Sequence, residues 1–219
     1  MGRFAGGLAL ILASLSLAAC GVNAIPTKQE IAKAKWADVQ ADYQRRADLI
    51  PNLVATVQGE AQQERTVLDE VTANRARATS VNIDASQLTD PAAFQRFQQA
   101  QDALSGSLSR LLAVSENYPN LRSSQNFLAL QNELEGTENR IAIARRDYND
   151  AVRDYNTTLR VLPTSIWAAT FYRDAKPMQP FAATASAQSA PQVQFNLGGP
   201  AAGAAPGSAP PPAPATNAP

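Results

Sequence analysis

Apolar residues recurring every three or four positions, with almost nothing to interrupt them, constrain this chain more than any other feature. Between Thr27 and Leu162 glycines are few, and proline occurs only at Pro51, Pro91 and Pro119. Such spacing buries one face of an α-helix and leaves the other to water. The clearest run is Phe127, Leu130, Leu134, Ile141, Ala144, Tyr148, Ala151, Tyr155 and Leu162. It predicts a last helix of about forty residues, roughly 60 Å long at 1.5 Å per residue. Gly136 is its one weak interior position: it either admits a close neighbour or costs about 1 kcal/mol against alanine.

The first helix reads from a capping box, Thr27-Lys28-Gln29-Glu30, through Trp36, Tyr43, Ala47, Ile50, Val54, Val57, Ala61, Leu68 and Val71. The steps follow a coiled-coil period. Pro51 removes a backbone donor from the middle of this run, which predicts a kink near Leu49–Pro51 or a break into two helices. Residues 81–89 read as a loop. Asp90-Pro91 opens the next helix with a capping carboxylate and a proline at the first helical position. That helix buries Phe94, Phe97, Leu104, Leu108, Leu111 and Leu112 and ends at Tyr118-Pro119-Asn120. Long helices joined by short turns run antiparallel. The expected fold is all-α: an elongated antiparallel bundle of three long helices, or four if the first breaks at Pro51.

The two ends differ from this middle. An apolar stretch, Leu8 to Ala19, follows the single charge of Arg3 and closes on the only cysteine, Cys20. The tetrapeptide Leu17-Ala18-Ala19-Cys20 resembles a bacterial lipobox. On that reading residues 1–19 are a lipoprotein signal peptide and 20–26 a lipidated linker. The bundle occupies 27–181, and 182–219 form a disordered Ala/Pro-rich tail. The alternatives are an uncleaved N-terminal membrane helix, for which the stretch is short against a span of roughly 20 residues, or a signal cut by another peptidase. Gly21, rather than an aspartate, follows the cysteine, which favours an outer-membrane lipoprotein facing the periplasm over an inner-membrane anchor. The tail carries no charge after Lys176 and is too poor in large apolar residues to offset its ordering entropy. Its alternating Val193, Phe195 and Leu197 read as chance or as a docking strand.

Charge and residue types narrow the chemistry. There are 19 basic and 19 acidic residues and no histidine. Removal of Arg3 with the signal leaves 18 basic residues against 19 acidic. A nearly neutral chain offers no nucleic-acid footprint. Without histidine, the sequence lacks Glu-x-x-His pairs for a di-iron site, the usual zinc sets and a Ser–His pair. No cofactor or metal is expected. Glu133, Glu135 and Glu138 leave a carboxylate-dependent hydrolase as a formal reading only.

Three dense strings stand in order: Arg45-Arg46-Ala47-Asp48-Leu49-Ile50-Pro51-Asn52-Leu53-Val54; Glu116-Asn117-Tyr118-Pro119-Asn120-Leu121; and Leu134-Glu135-Gly136-Thr137-Glu138-Asn139-Arg140-Ile141. The last continues into Ala144-Arg145-Arg146-Asp147-Tyr148-Asn149 and Asp154-Tyr155-Asn156. Together they resemble the LemA family over residues 28–181. The resemblance implies a helical-bundle domain held at a bacterial membrane and implies no reaction. Many members of that family look like proteins with an N-terminal membrane helix; here a lipobox cysteine stands instead.

The polar residues in these strings are the candidate sites: Arg45, Arg46, Asp48 and Asn52 around Pro51, and Glu138, Asn139, Arg140, Arg145, Arg146, Asn149 and Asn156 on the last helix. At about 100° per residue, Glu138, Arg145, Asn149 and Asn156 fall in one narrow strip. That strip is either a hydrogen-bonded flank between helices or a groove for a partner or ligand. The leading functional reading is a membrane-anchored, non-enzymatic envelope protein that binds or scaffolds other envelope proteins. The membrane is reached through lipid on Cys20. A small-molecule or glycan binder using the strip is the alternative.

Overall fold

Among the described residues there are six helices: α1 Ala24–Glu60, α2 Arg65–Ser80, α3 Pro91–Ser115, α4 Pro119–Ser123, α5 Gln125–Thr158 and α6 Thr164–Thr170. A 3-10 turn, Ala85–Thr89, joins α2 to α3. The computed structural model describes residues 21–182, and no strand occurs among them. Cys20, the apolar stretch before it, and the tail with Val193, Phe195 and Leu197 lie outside the described residues.

Side-chain pairs fix the directions. Along α1 and α5, Lys28 meets Asp154, Lys35 meets Asp147 and Arg45 meets Glu133, so one helix ascends as the other descends. Arg110 on α3 meets Glu70 on α2, and Gln101 donates to the Ala78 carbonyl, which makes that pair antiparallel too. α2 returns along α1, with Arg75 beside Ala47. The four long helices therefore run up, down, up, down. At 1.5 Å per residue the 37 residues of α1 extend about 55 Å.

Four of the helices are long, yet Pro51 does not make the break between the first two. α1 passes through it without interruption, and the chain reverses at residues 61–64. Proline at 51 supplies no N–H to the Ala47 carbonyl, the acceptor four residues back. Arg75 supplies the missing donor: its Nε lies 2.7 Å from the Ala47 oxygen. The orphaned acceptor is satisfied from a neighbouring helix, so the helix continues. Reversal at 61–64 lets Leu68, Val71 and Ala78 join the core cluster that α1 and α3 build. A continuous first helix would carry them away from that cluster.

Two other boundaries differ from the sequence reading. The capping box at Thr27 does not form: α1 begins a turn earlier, at Ala24, and the Thr27 hydroxyl donates to the Asn23 carbonyl at 2.7 Å. Ile25 is fully buried, so burial draws this extra turn into the bundle. Pro26 is tolerated there because first-turn N–H groups have no intrahelical acceptor. The last helix stops at Thr158, and Leu162 is 75% exposed rather than core. The start of α3 follows the sequence reading, with Asp90 Oδ1 accepting from Ala92 N at 2.9 Å. At Gly136 an added Cβ would meet nothing within 4 Å, so no helix uses that position for close approach.

The interior divides into two apolar clusters. One is aliphatic, built on Ile50, Leu53, Val57, Leu104, Leu111 and Phe127. The other is aromatic, with Trp36 in contact with Phe94, Phe97, Tyr148 and Phe181 at centroid distances of 5.3–6.0 Å. At this end α2 has run out. Ile83, Leu88 and a C-terminal strap bearing Met178 and Phe181 complete the cluster in its place.

Candidate functional site

Arg46 stands at the boundary between the two clusters. It is 1% exposed, its guanidinium lying 5.0 Å from the centre of the Tyr43 ring. Nη1 donates to Ser105 Oγ at 2.7 Å and to Glu138 Oε1 at 2.8 Å. Nη2 donates to Gln101 Oε1 at 2.5 Å. Gln101 passes the link on, donating from Nε2 to the Ala78 carbonyl at 3.2 Å. One buried cation thus ties α1 to α3 and α5, and Gln101 extends the layer to α2. A lone charge here would cost several kcal/mol to desolvate, so its partners are structural necessities. Of the three guanidinium nitrogens, Nε alone lacks an acceptor among the described residues.

A cleft of about 380 Å³ opens beside this layer between α1, α2 and α3. Gln40, Tyr43, Thr79, Asn82 and Gln101 line it, and none of its lining residues is charged. Burial raises the Tyr43 hydroxyl above its ordinary value, so it stays neutral. The cleft offers neutral hydrogen-bonding groups and no titrating acid–base pair. Among the described residues no group of three or more His, Cys, Asp or Glu side chains is placed to hold a metal ion.

The strip on α5 splits in function. Glu138 faces Arg46. Further along, Asn149 accepts from Phe181 N at 2.8 Å and donates to Phe181 O at 3.1 Å. Asn156 does the same for Met178, at 2.9 Å in both directions. Each amide therefore pairs with both backbone groups of one strap residue. The spacing explains the match. Seven residues of helix rise about 10.5 Å, and three residues of extended chain span about 10 Å. The repeated Asp-Tyr-Asn triplet thus sits in register with Met178 and Phe181. Between the clamps Tyr148 Oη donates to Gln179 O at 2.9 Å, and Gln179 N donates to Leu88 O at 2.8 Å. Arg145 lies over the Phe181 ring, 4.5 Å from its centre. The segment occupying this groove is the protein's own chain.

The other candidates lie at the surface. Arg45 donates to Glu133 Oε1 at 2.6 Å, and that guanidinium holds the Glu133 carboxyl below its ordinary value. Arg140 approaches Asp42 and Glu133 at 3.9 and 3.6 Å. Asp48 accepts from Gln44 at 2.8 Å. Asn52, Asn139 and Arg146 are exposed. None of the residues around Pro51 tends the freed carbonyl; Arg75 does. Sequence reading missed Arg75, Gln101 and the strap. The one signal for Arg75 was the acceptor that Pro51 had to leave unpaired.

Comparison with known proteins adds a family and relatives. The chain is 26% identical over 185 residues to magnetosome protein MamQ of Magnetospirillum gryphiswaldense, covering 74% of this chain and 68% of that protein. It is 26% identical over 157 residues to magnetosome protein MamQ 2 of Paramagnetospirillum magneticum, covering 64% of this chain but only 58% of that relative. The family model described as LemA family matches residues 35–195. That span is well over half of the sequence and takes in the Arg46 layer, both clamps and the strap: the chain belongs to the LemA family.

Proposed function

We propose that this protein is a lipid-tethered, non-enzymatic envelope protein whose helical rod acts by contact with other envelope proteins. The observation that carries the reading is where the polar groups of the family strings are spent. Arg46, Glu138, Asn149 and Asn156 bond to the protein's own side chains and backbone. A ligand groove along α5 would have to displace the strap, and with it Phe181 from the aromatic cluster. The carboxylates suit hydrolysis poorly. Glu138 is tied to a buried arginine, and Glu133 is held low when a general acid needs a raised value. What remains for recognition is the outer surface, including Asn139 and Arg146, seven residues apart on one face of α5. No helix among the described residues is long and apolar enough to cross a membrane; the lipobox-like Leu17-Ala18-Ala19-Cys20 is what supports a tether at Cys20. Its acyl groups hold the mature chain to the outer membrane, facing the periplasm. The relatives are named for the magnetosome, and a membrane setting suits that name.

Photo-crosslinking in living cells tests this. A crosslinker placed at position 139 or 146 should give one recurring protein adduct, absent when it is placed at buried position 148. Adducts that never recur would overturn the contact reading. Saturable stabilisation by a small envelope metabolite, lost in Asn149→Ala, would favour a binder instead.

A further inference from the structure

Seven large hydrophobic side chains are exposed among the described residues, and four of them fall within eleven consecutive positions: Val161, Leu162, Ile166 and Phe171. Leu162 and Phe171 are the most open, at 75% and 71%. Trp167 joins them, its ring 5.6 Å from that of Phe171. Its indole N–H is buried without an acceptor among the described residues. This segment, the turn after α5 and α6 itself, packs at the start of α1. A Cβ built on Gly21 would lie 3.4 Å from both Thr164 Cγ2 and Trp167 Nε1. Gly21 follows Cys20 directly, and consecutive Cα atoms lie about 3.8 Å apart. Gly21, the neighbour of the proposed tether residue, therefore packs against the segment that bears the apolar patch. Arg160, Arg173 and Lys176 flank the patch and are exposed, against one exposed carboxylate, Asp174.

We infer that α6 and the turn before it form a membrane-contact foot, in which Leu162, Ile166 and Phe171 enter the interfacial layer of the bilayer that receives the Cys20 lipid. The inference rests on the tether proposed above. Several features suit a lipid surface as the occupant. The patch is small and apolar, and its rim is basic, the combination that suits a headgroup layer. The tether adds proximity: once the acyl groups are in the leaflet, the foot is already at the surface, and little further affinity is needed to hold it there. Two attachment points then set the rod's orientation, where a flexible single tether would leave it free to tumble.

The chain has two tryptophans, and the other, Trp36, is 1% exposed in the aromatic cluster. This permits a direct test with the full, lipidated chain. The protein is reconstituted into vesicles of phosphatidylcholine and phosphatidylglycerol whose acyl chains carry bromine, which quenches indoles at short range. The Trp167 signal is isolated as the difference between wild type and Trp167→Phe. That difference should fall at least twofold in brominated vesicles. It should recover in Ile166→Ser/Phe171→Ser, two exposed changes that leave the circular dichroism of the helices unchanged. Wild type that floats with the vesicles but keeps its full Trp167 emission overturns the foot and leaves the tether standing; the patch then belongs to a protein partner or a second copy. Failure to float at all removes the tether, and the foot with it.

Discussion

Asn149→Asp is the sharpest probe of the clamp between α5 and the strap. Aspartate has the shape of asparagine and keeps the oxygen that accepts from Phe181 N at 2.8 Å. The amide nitrogen that donates to Phe181 O at 3.1 Å becomes a second oxygen facing that carbonyl. One hydrogen bond is lost and its partly buried acceptor is left without a donor. Such a change costs about 1–3 kcal/mol. Taking about 2 kcal/mol, and tenfold per 1.4 kcal/mol, local opening of the strap becomes roughly 30-fold more frequent. Amide hydrogen exchange reads this residue by residue. The Phe181, Gln179 and Met178 amides should exchange faster by that factor, while amides around Leu104 and Leu134 stay protected. Asn149→Ala should open the strap at least as far, having lost both bonds. Unchanged exchange at Phe181 in Asn149→Asp would refute the claim that this amide holds the strap.

Three further predictions follow from the packing. Arg75→Ala should destabilise the protein by about 1–3 kcal/mol by orphaning the Ala47 carbonyl, and far less in a Pro51→Ala background, where the helix regains its own N–H donor; equal costs in both backgrounds, measured by urea unfolding, would sink the explanation for the unbroken helix. Arg46→Ala should cost about 1–3 kcal/mol by leaving the buried Gln101 oxygen without its donor, a fall in Tm of roughly 2–12 °C for a domain of this size; a thermal melt unchanged from wild type would remove its structural role. Burial raises the Tyr148 hydroxyl above its ordinary value near 10, so above that pH the unfolded chain gives up this proton while the folded chain keeps it. The stability is complete below pH 10 and is lost as pH climbs toward the folded value, at up to about 1.36 kcal/mol per pH unit. Tyr148→Phe should flatten that alkaline decline in urea titrations at pH 9–11, and an identical slope would count against it.

The helices were legible because their signal is local. Phe127, Leu134, Ile141, Tyr148 and Tyr155 are all buried, and each sits on the face its spacing assigns. Asp90 caps α3 through atoms two and three residues away. The misread features are nonlocal. Whether Pro51 breaks a helix depended on Arg75, 28 residues from the carbonyl it serves. The helix start depended on the burial of Ile25, which no local capping pattern reports. The strap has no periodicity of its own. Its backbone is read by asparagines 22 and 32 residues upstream, so nothing within residues 172–182 announces the pairing. Asn149 and Asn156 stood out as a repeat in the sequence, yet what they hold became visible only once α5 and the strap lay side by side. Leu162 fitted the heptad and still left the core, because the following proline disfavours helix at that residue.

In the proposed arrangement a helical rod is held to a membrane through the residue next to Gly21. Intact mass spectrometry of the protein extracted from its own membranes tests that most directly. Cleavage before Cys20 with acyl groups added to the remaining chain is the mass predicted. A chain beginning at Met1 with no acyl adduct would contradict it.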